Sequence, residues 1–120
     1  MLCIRCKIFY QLTGGTIKNL YVENYRDLSY SSYVGFIGLV QSSGDVENVH
    51  LKGVTLYGSY RVGGIAAYTN GSTISDCSVT DIKVYIKDEK HKSYEGRIGG
   101  FIGENNTTII ENSFVRGLDM

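Results

Sequence analysis

The sequence predicts an all-β solenoid: a short parallel, right-handed β-helix of about four coils with about 28 residues in each. Three observations predict it. The first is a repeated phrase, opened by Ile17, Val46, Ile74 and Ile110 at steps of 29, 28 and 36 residues. It reads Ile17-Lys18-Asn19, Val46-Glu47-Asn48, Ile74-Ser75-Asp76 and Ile110-Glu111-Asn112. The second is composition. Fifteen glycines and no proline suit many short paired strands, because proline would remove a ladder donor. The third is period two, as in Ile82-Lys83-Val84-Tyr85-Ile86-Lys87, which marks a strand with one buried face.

Each repeat has two parts. A glycine-rich apolar strand comes first: Val34-Gly35-Phe36-Ile37-Gly38, Val62-Gly63-Gly64-Ile65-Ala66 and Ile98-Gly99-Gly100-Phe101-Ile102-Gly103. A turn follows, at Thr13-Gly14-Gly15, Ser42-Ser43-Gly44-Asp45, Thr69-Asn70-Gly71-Ser72 or Glu104-Asn105-Asn106-Thr107. The Ile/Val-x-Asn/Asp phrase then opens the second part. Repeats are expected at about residues 6–32, 33–60, 61–95 and 96–120 of a single domain. The longer third step contains the polar stretch Asp88-Glu89-Lys90-His91-Lys92-Ser93, expected as a solvated loop.

Antiparallel hairpins would set each strand beside its sequence neighbour. A parallel β-helix sets it on its counterpart one repeat away and explains the alignment better, because like then stacks on like. Three internal columns are expected: Ile8, Ile37, Ile65, Phe101; Ile17, Val46, Ile74, Ile110; and Val22, Leu51, Val79, Val115. Asn19, Asn48, Asp76 and Asn112 are expected to form a structural ladder at a corner, each amide bonding to backbone and to its neighbours.

Composition narrows the function classes. Lys plus Arg equals Asp plus Glu at 12 each, so no net positive charge draws in a phosphate backbone, and nucleic acid is not expected as a partner. No apolar run approaches the roughly 18 residues of a membrane span, and the N-terminus lacks signal-peptide character. Cys3 and Cys6 form a lone C-x-x-C without the second ligand pair of a zinc site. Cys77 occupies the position of Leu20 and Val49 and reads as a small core residue.

Catalysis finds little support. Glu23, Glu47, Lys52, Asp81 and Glu111 are the acid–base candidates, but mixed charges along a sheet face read as cross-strand pairs. His50 reads as a lone surface histidine in the outward column Tyr21, His50, Ser78, Phe114, and no nucleophile–base pair can be named. No enzyme activity, metal or cofactor is expected. Ten tyrosines offer apolar faces with polar tips, so Tyr57, Tyr60, Tyr85 and Tyr94 are the candidate ligand surface.

The phrase Gly-Gly-aliphatic-aliphatic-Gly, followed about seven residues later by Ile-x-Asn-Ser/Cys-x-Val-x-Gly, resembles the GLUG repeat of bacterial surface and adhesin-like proteins. Gly99–Gly103 with Ile110–Gly117 is the nearest copy; residues 63–79 and 35–53 follow it, and Cys6 and Lys7 stand where a first copy would have glycines. The resemblance implies a secreted or cell-surface location and a non-catalytic stalk, spacer or adhesion surface. Two alternatives remain: a carbohydrate-binding or carbohydrate-cleaving β-helix, and a spacer subdomain of a surface protease. Four coils at about 4.8 Å spacing make a stack only about 19 Å tall. Its open ends are expected to meet flanking coils or another copy of the chain, with a host protein or glycan as a further partner.

Overall fold

The structure, a computed structural model, describes residues 9–28, 32–86 and 97–119. All regular structure in these residues is β. The first repeat supplies β1 (Phe9–Thr13), β2 (Thr16–Glu23) and β3 (Arg26–Asp27). The second supplies β4 (Tyr33–Val34), β5 (Ile37–Gln41) and the long β6 (Asp45–Gly58). The third supplies β7 (Arg61–Gly63), β8 (Ala66–Asn70), β9 (Thr73–Ser75) and β10 (Ser78–Ile86). The fourth supplies β11 (Arg97–Gly99), β12 (Ile102–Asn106), β13 (Ile109–Glu111) and β14 (Phe114–Asp119).

Equivalent strands of successive repeats pair in parallel. One sheet runs β1-β5-β8-β12 and a second, smaller one runs β11-β7-β4. In the third sheet β6 carries β2 and β3 on one side and β9 and β10 on the other, with β13 and β14 beyond. The repeated phrases meet in register: Ile17 opposite Val46, Val46 opposite Ile74, and Ile74 opposite Ile110. Val22, Leu51, Val79 and Val115 stand opposite one another in the same way.

One expected column is corrected. Ile37 stands opposite Ala66, which stands opposite Ile102, and Phe9 rather than Ile8 stands opposite Ile37. The cause is a one-residue slip. Val34 pairs with Val62 at a step of 28, but Ile37 pairs with Ala66 at a step of 29. Asp45 then pairs with Thr73 at 28 again. The second repeat has a shorter corner, Gly35-Phe36, and a longer turn, Ser42-Ser43-Gly44, so its total length is unchanged. Phe36 therefore stands opposite Ile65, not in a glycine position, and its amide donates to the Gly64 carbonyl at 3.1 Å.

The interior is apolar and dense at its centre. Val46, Val49, Val54, Leu56, Ile65, Ile74 and Ile82 have no exposure, and Phe36 and Leu51 have almost none. Phe36 packs edge-on against Phe9 and Tyr25, with ring centroids 5.3 and 5.7 Å away. Burial falls off at the fourth repeat, where Ile110 is 42% exposed although its column partner Ile74 is sealed.

Cys77 lies in this core beneath Asp76. Its thiol donates to the Ser75 carbonyl at 3.2 Å, and burial pushes its pKa up. A buried thiol held protonated is a poor nucleophile. Cys77 is thus expected to resist an aromatic disulfide reagent in a Cys3→Ser/Cys6→Ser background until denaturant is added, which a thiol titration checks. Cys3, Cys6, Ile8, the charged stretch at 88–93 and Tyr94 lie outside the described residues, and so do the expectations placed on them.

Candidate functional site

Two columns of left-handed residues shape the outer surface of the third sheet. Asn19, Asn48, Asp76 and Asn112 have φ between 48° and 60°. Asn24, Gly53, Asp81 and Gly117 form a second such column, at 56° to 72°. Asn, Asp and Gly tolerate this region better than other residues. The geometry has a purpose visible in β6, where burial alternates as Val46, Val49, Leu51, Val54, Leu56. Plain alternation would turn Asn48 inward. The left-handed residue shifts the phase so that both flanking segments keep their apolar side in the core. The register of β2 on β6 accordingly skips Asn19 and Asn48.

Side chains of the first column also meet. Asn48 Nδ2 donates to Asn19 Oδ1 at 2.9 Å. Among the described residues no comparable side-chain bond continues from Asn48 to Asp76 or Asn112. Asn48 Oδ1 lies 2.9 Å from His50 Nε2, and His50 Nδ1 lies 2.7 Å from Ser78 Oγ. These four residues make a chain of hydrogen bonds across three repeats. His50 is therefore not the lone surface histidine that sequence spacing suggests, and it does pair with a hydroxyl. Ser78 is only 6% exposed, because His50 and Phe114 cover it from neighbouring strands of the column, so this pair faces no cleft. The arrangement is fit for holding strands together.

Replacing Asn48 by alanine removes two hydrogen bonds and puts into the left-handed region a residue that lacks the local side-chain bonding by which Asn tolerates it. A loss of about 2 kcal/mol is expected. Asn48→Gly keeps the backbone geometry and loses only the bonds, so its loss should be about half as large. Paired thermal melts check the difference; equal loss in both would remove the conformational part of this account.

The second surface feature is a cluster of aromatic rings around one cation. Arg61, on β7, is the register partner of Tyr33 on β4. Its Nη1 donates to the Tyr33 hydroxyl at 2.8 Å, and its Nε donates to Glu104 Oε1 at 2.6 Å. The guanidinium carbon lies 5.0, 4.5 and 5.0 Å from the ring centres of Tyr33, Tyr60 and Tyr68. Burial alone would lower the pKa of Arg61; the hydrogen bond to Glu104 and the surrounding phenols outweigh it and the net shift is upward. A planar cation stacked on rings and forked to two oxygens is a rigid support. Beside Tyr33, an open groove of about 270 Å³ is lined by Tyr10, Gln11, Tyr33 and Leu39.

The residues singled out in the sequence separate into two places. Tyr57 and Tyr85 stack, with ring centroids 4.6 Å apart and planes 28° from parallel. Tyr60 instead packs on Arg61. The charged columns behave differently from expectation: Lys18 stands opposite Glu47 and Glu23 opposite Lys52, but the close ion pair among the described residues is Arg61–Glu104. No group of three His, Cys, Asp or Glu suited to a metal ion occurs among the described residues. Tyr33 is one of the tyrosines that precede the glycine strands in the sequence, whereas Arg61, Tyr68 and Glu104 escaped sequence reading, although the step of 28 between Tyr33 and Arg61 and of 36 between Tyr68 and Glu104 were signals for them.

The fold and its surface define a class: an all-β repeat protein of parallel sheets in which equivalent residues face one another. Within that class, residues 58–85 match the GLUG motif, and the chain carries that repeat. The match falls on the third repeat, through residue 85 of β10, whereas the phrase nearest the motif in sequence lies in the fourth. No curated protein matches the chain, and no solved structure does.

Proposed function

We propose that this chain is a non-catalytic, right-handed β-helical module of about four coils in a secreted or cell-surface bacterial protein, serving as a spacer or an adhesion surface. The observation that carries this reading is the parallel pairing of equivalent residues at steps of 28, 29 and 36, joined to the GLUG match. Parallel crossovers in one sheet turn right-handed, which supports the hand. The polar surface groups near one another, such as His50 with Ser78, are spent on strand-to-strand bonds, which supports a structural role. Antibody labelling of intact producing cells tests the location. Labelling before lysis is expected; signal that appears only after lysis would contradict it.

A second reading, carbohydrate binding, is favoured by the groove beside the Arg61 cluster. Tyrosine rings with a nearby amide suit a sugar ring, which has an apolar face and hydroxyl edges. A glycan array separates the two: binding that Tyr33→Ala abolishes supports the second reading, and a blank array supports the spacer.

A further inference from the structure

The two outer edges of the strand stack are complementary to each other. Among the described residues, β12, β13 and β14 are the last strands of their sheets at the fourth repeat, and β1, β2 and β3 are at the first. Apolar side chains that are sealed in the middle repeats open at the last one, where Ile110 is 42% and Leu118 46% exposed. In the first repeat Ile17, the column mate of Ile110, is only half-buried, and so is Val22, the mate of Val115, whereas Tyr25, the mate of Leu118, is buried.

The outward charges follow a pattern that apolar exposure alone does not explain. One column runs Lys18, Glu47, Ser75, Glu111. A second runs Glu23, Lys52, Thr80, Arg116. A third runs Arg26, Thr55, Lys83, Asp119. In all three, the first and last residues carry opposite charge. The first two columns already place opposite charges side by side within the chain, Lys18 by Glu47 and Glu23 by Lys52. A first repeat set on a fourth repeat in the same register would repeat both pairings, as Glu111 with Lys18 and Arg116 with Glu23, and would add Asp119 with Arg26. Phe114 would also meet Tyr21, the exposed aromatic of its own column.

We propose that the fourth-repeat edge of one copy docks on the first-repeat edge of a second copy, head to tail, with the parallel sheets running on through the junction. This rests on the stacked-coil reading above. The contact joins two different surfaces, so it does not close on itself and propagates into linear assemblies. Strand edges supply the backbone hydrogen bonds, the opened columns supply apolar burial, and the charges set register and exclude the reversed orientation.

The test is sedimentation velocity on the full chain over a concentration series at low and high salt. The wild-type chain should form assemblies that grow with concentration and weaken with salt. Glu111→Lys/Arg116→Glu should weaken association by about tenfold or more. Within the chain its new charges stand opposite Ser75 and Thr80, and the exchange gives up only the exposed Arg116 contact with the Phe114 ring, 5.3 Å away, so its melting temperature should fall only slightly. Lys18→Glu/Glu23→Lys, with Glu47→Lys/Lys52→Glu to keep the internal oppositions, should be equally weak alone. An equimolar mixture of the two variants should restore wild-type assembly. A wild-type chain that stays monomeric, a tail variant that assembles undiminished, or a mixture that fails to restore assembly would each overturn the proposal. Nuclear Overhauser contacts between Leu51 and Val79 in the tail variant separate the two readings. Their presence beside a wild-type chain that stays monomeric defeats the docking alone; their absence defeats the stacked coils.

Discussion

Phe36→Ala is expected to lower stability by about 4 kcal/mol, equivalent to a fall of about 15 °C in melting temperature for a chain of this size. Phe36 is 1% exposed and is among the largest fully buried side chains. It occupies the column position of Ile65 in the next repeat and holds the rings of Phe9 and Tyr25 in edge-on contact. Truncation would remove both ring contacts and leave a cavity beside the corner where the second repeat is one residue short. Phe36→Leu retains most of the volume and should lose less than half as much. A thermal melt of the pair checks this, and near-equal stability of Phe36→Ala and wild type would show that the corner is not packed as described.

Gly63→Ala is the second large effect, expected at about 3 kcal/mol. A β-carbon there would collide with the Ala66 carbonyl oxygen at the start of β8 and with the Gly103 amide nitrogen on β12 of the next repeat, both of them backbone atoms. Gly35 and Gly99 occupy the same corner in the neighbouring repeats and meet the same obstruction, from the Gly63 and Ile102 carbonyls. No rotamer change relieves such a clash; the corner itself must move, and with it the junction of two sheets. Gly71 is the control. Its added β-carbon would have only the Thr107 hydroxyl within reach, at 3.9 Å, so Gly71→Ala carries just the left-handed backbone penalty of about 1 kcal/mol. Denaturant melts should rank Gly63→Ala well below Gly71→Ala. The reverse order would show that close approach at the corner is not what the glycine serves.

Much of the fold is legible in the sequence because the repeat is vertical. Once Ile17, Val46, Ile74 and Ile110 are aligned, pairing follows for most of the third sheet, and Tyr57 falls opposite Tyr85 by counting alone. Counting fails where two length changes cancel. The short corner at Gly35-Phe36 and the long turn at Ser42-Ser43-Gly44 leave the step between repeats intact, so Ile37 aligns with Ile65 on paper and with Ala66 in space. The Asn19–Asn112 column is visible as a recurring residue, but its left-handed backbone is not. Its companion, Asn24, Gly53, Asp81 and Gly117, is hidden because the shared property is a dihedral angle and not a residue type. The Arg61 cluster joins Tyr33, Tyr60, Tyr68 and Glu104 from three repeats and two sheets. Finding it requires the register of both sheets together, and the one-residue slip lies between them.

The spacer reading depends on one structural claim, that each repeat lies on its counterpart and not beside its sequence neighbour. Interstrand Overhauser contacts in the isotopically labelled chain test it most directly. Parallel stacking predicts contacts linking Val22 to Leu51, Leu51 to Val79 and Val79 to Val115, each a full repeat apart. Antiparallel contacts between β5 and β6, or between β8 and β9, with no contacts a full repeat apart, would contradict it.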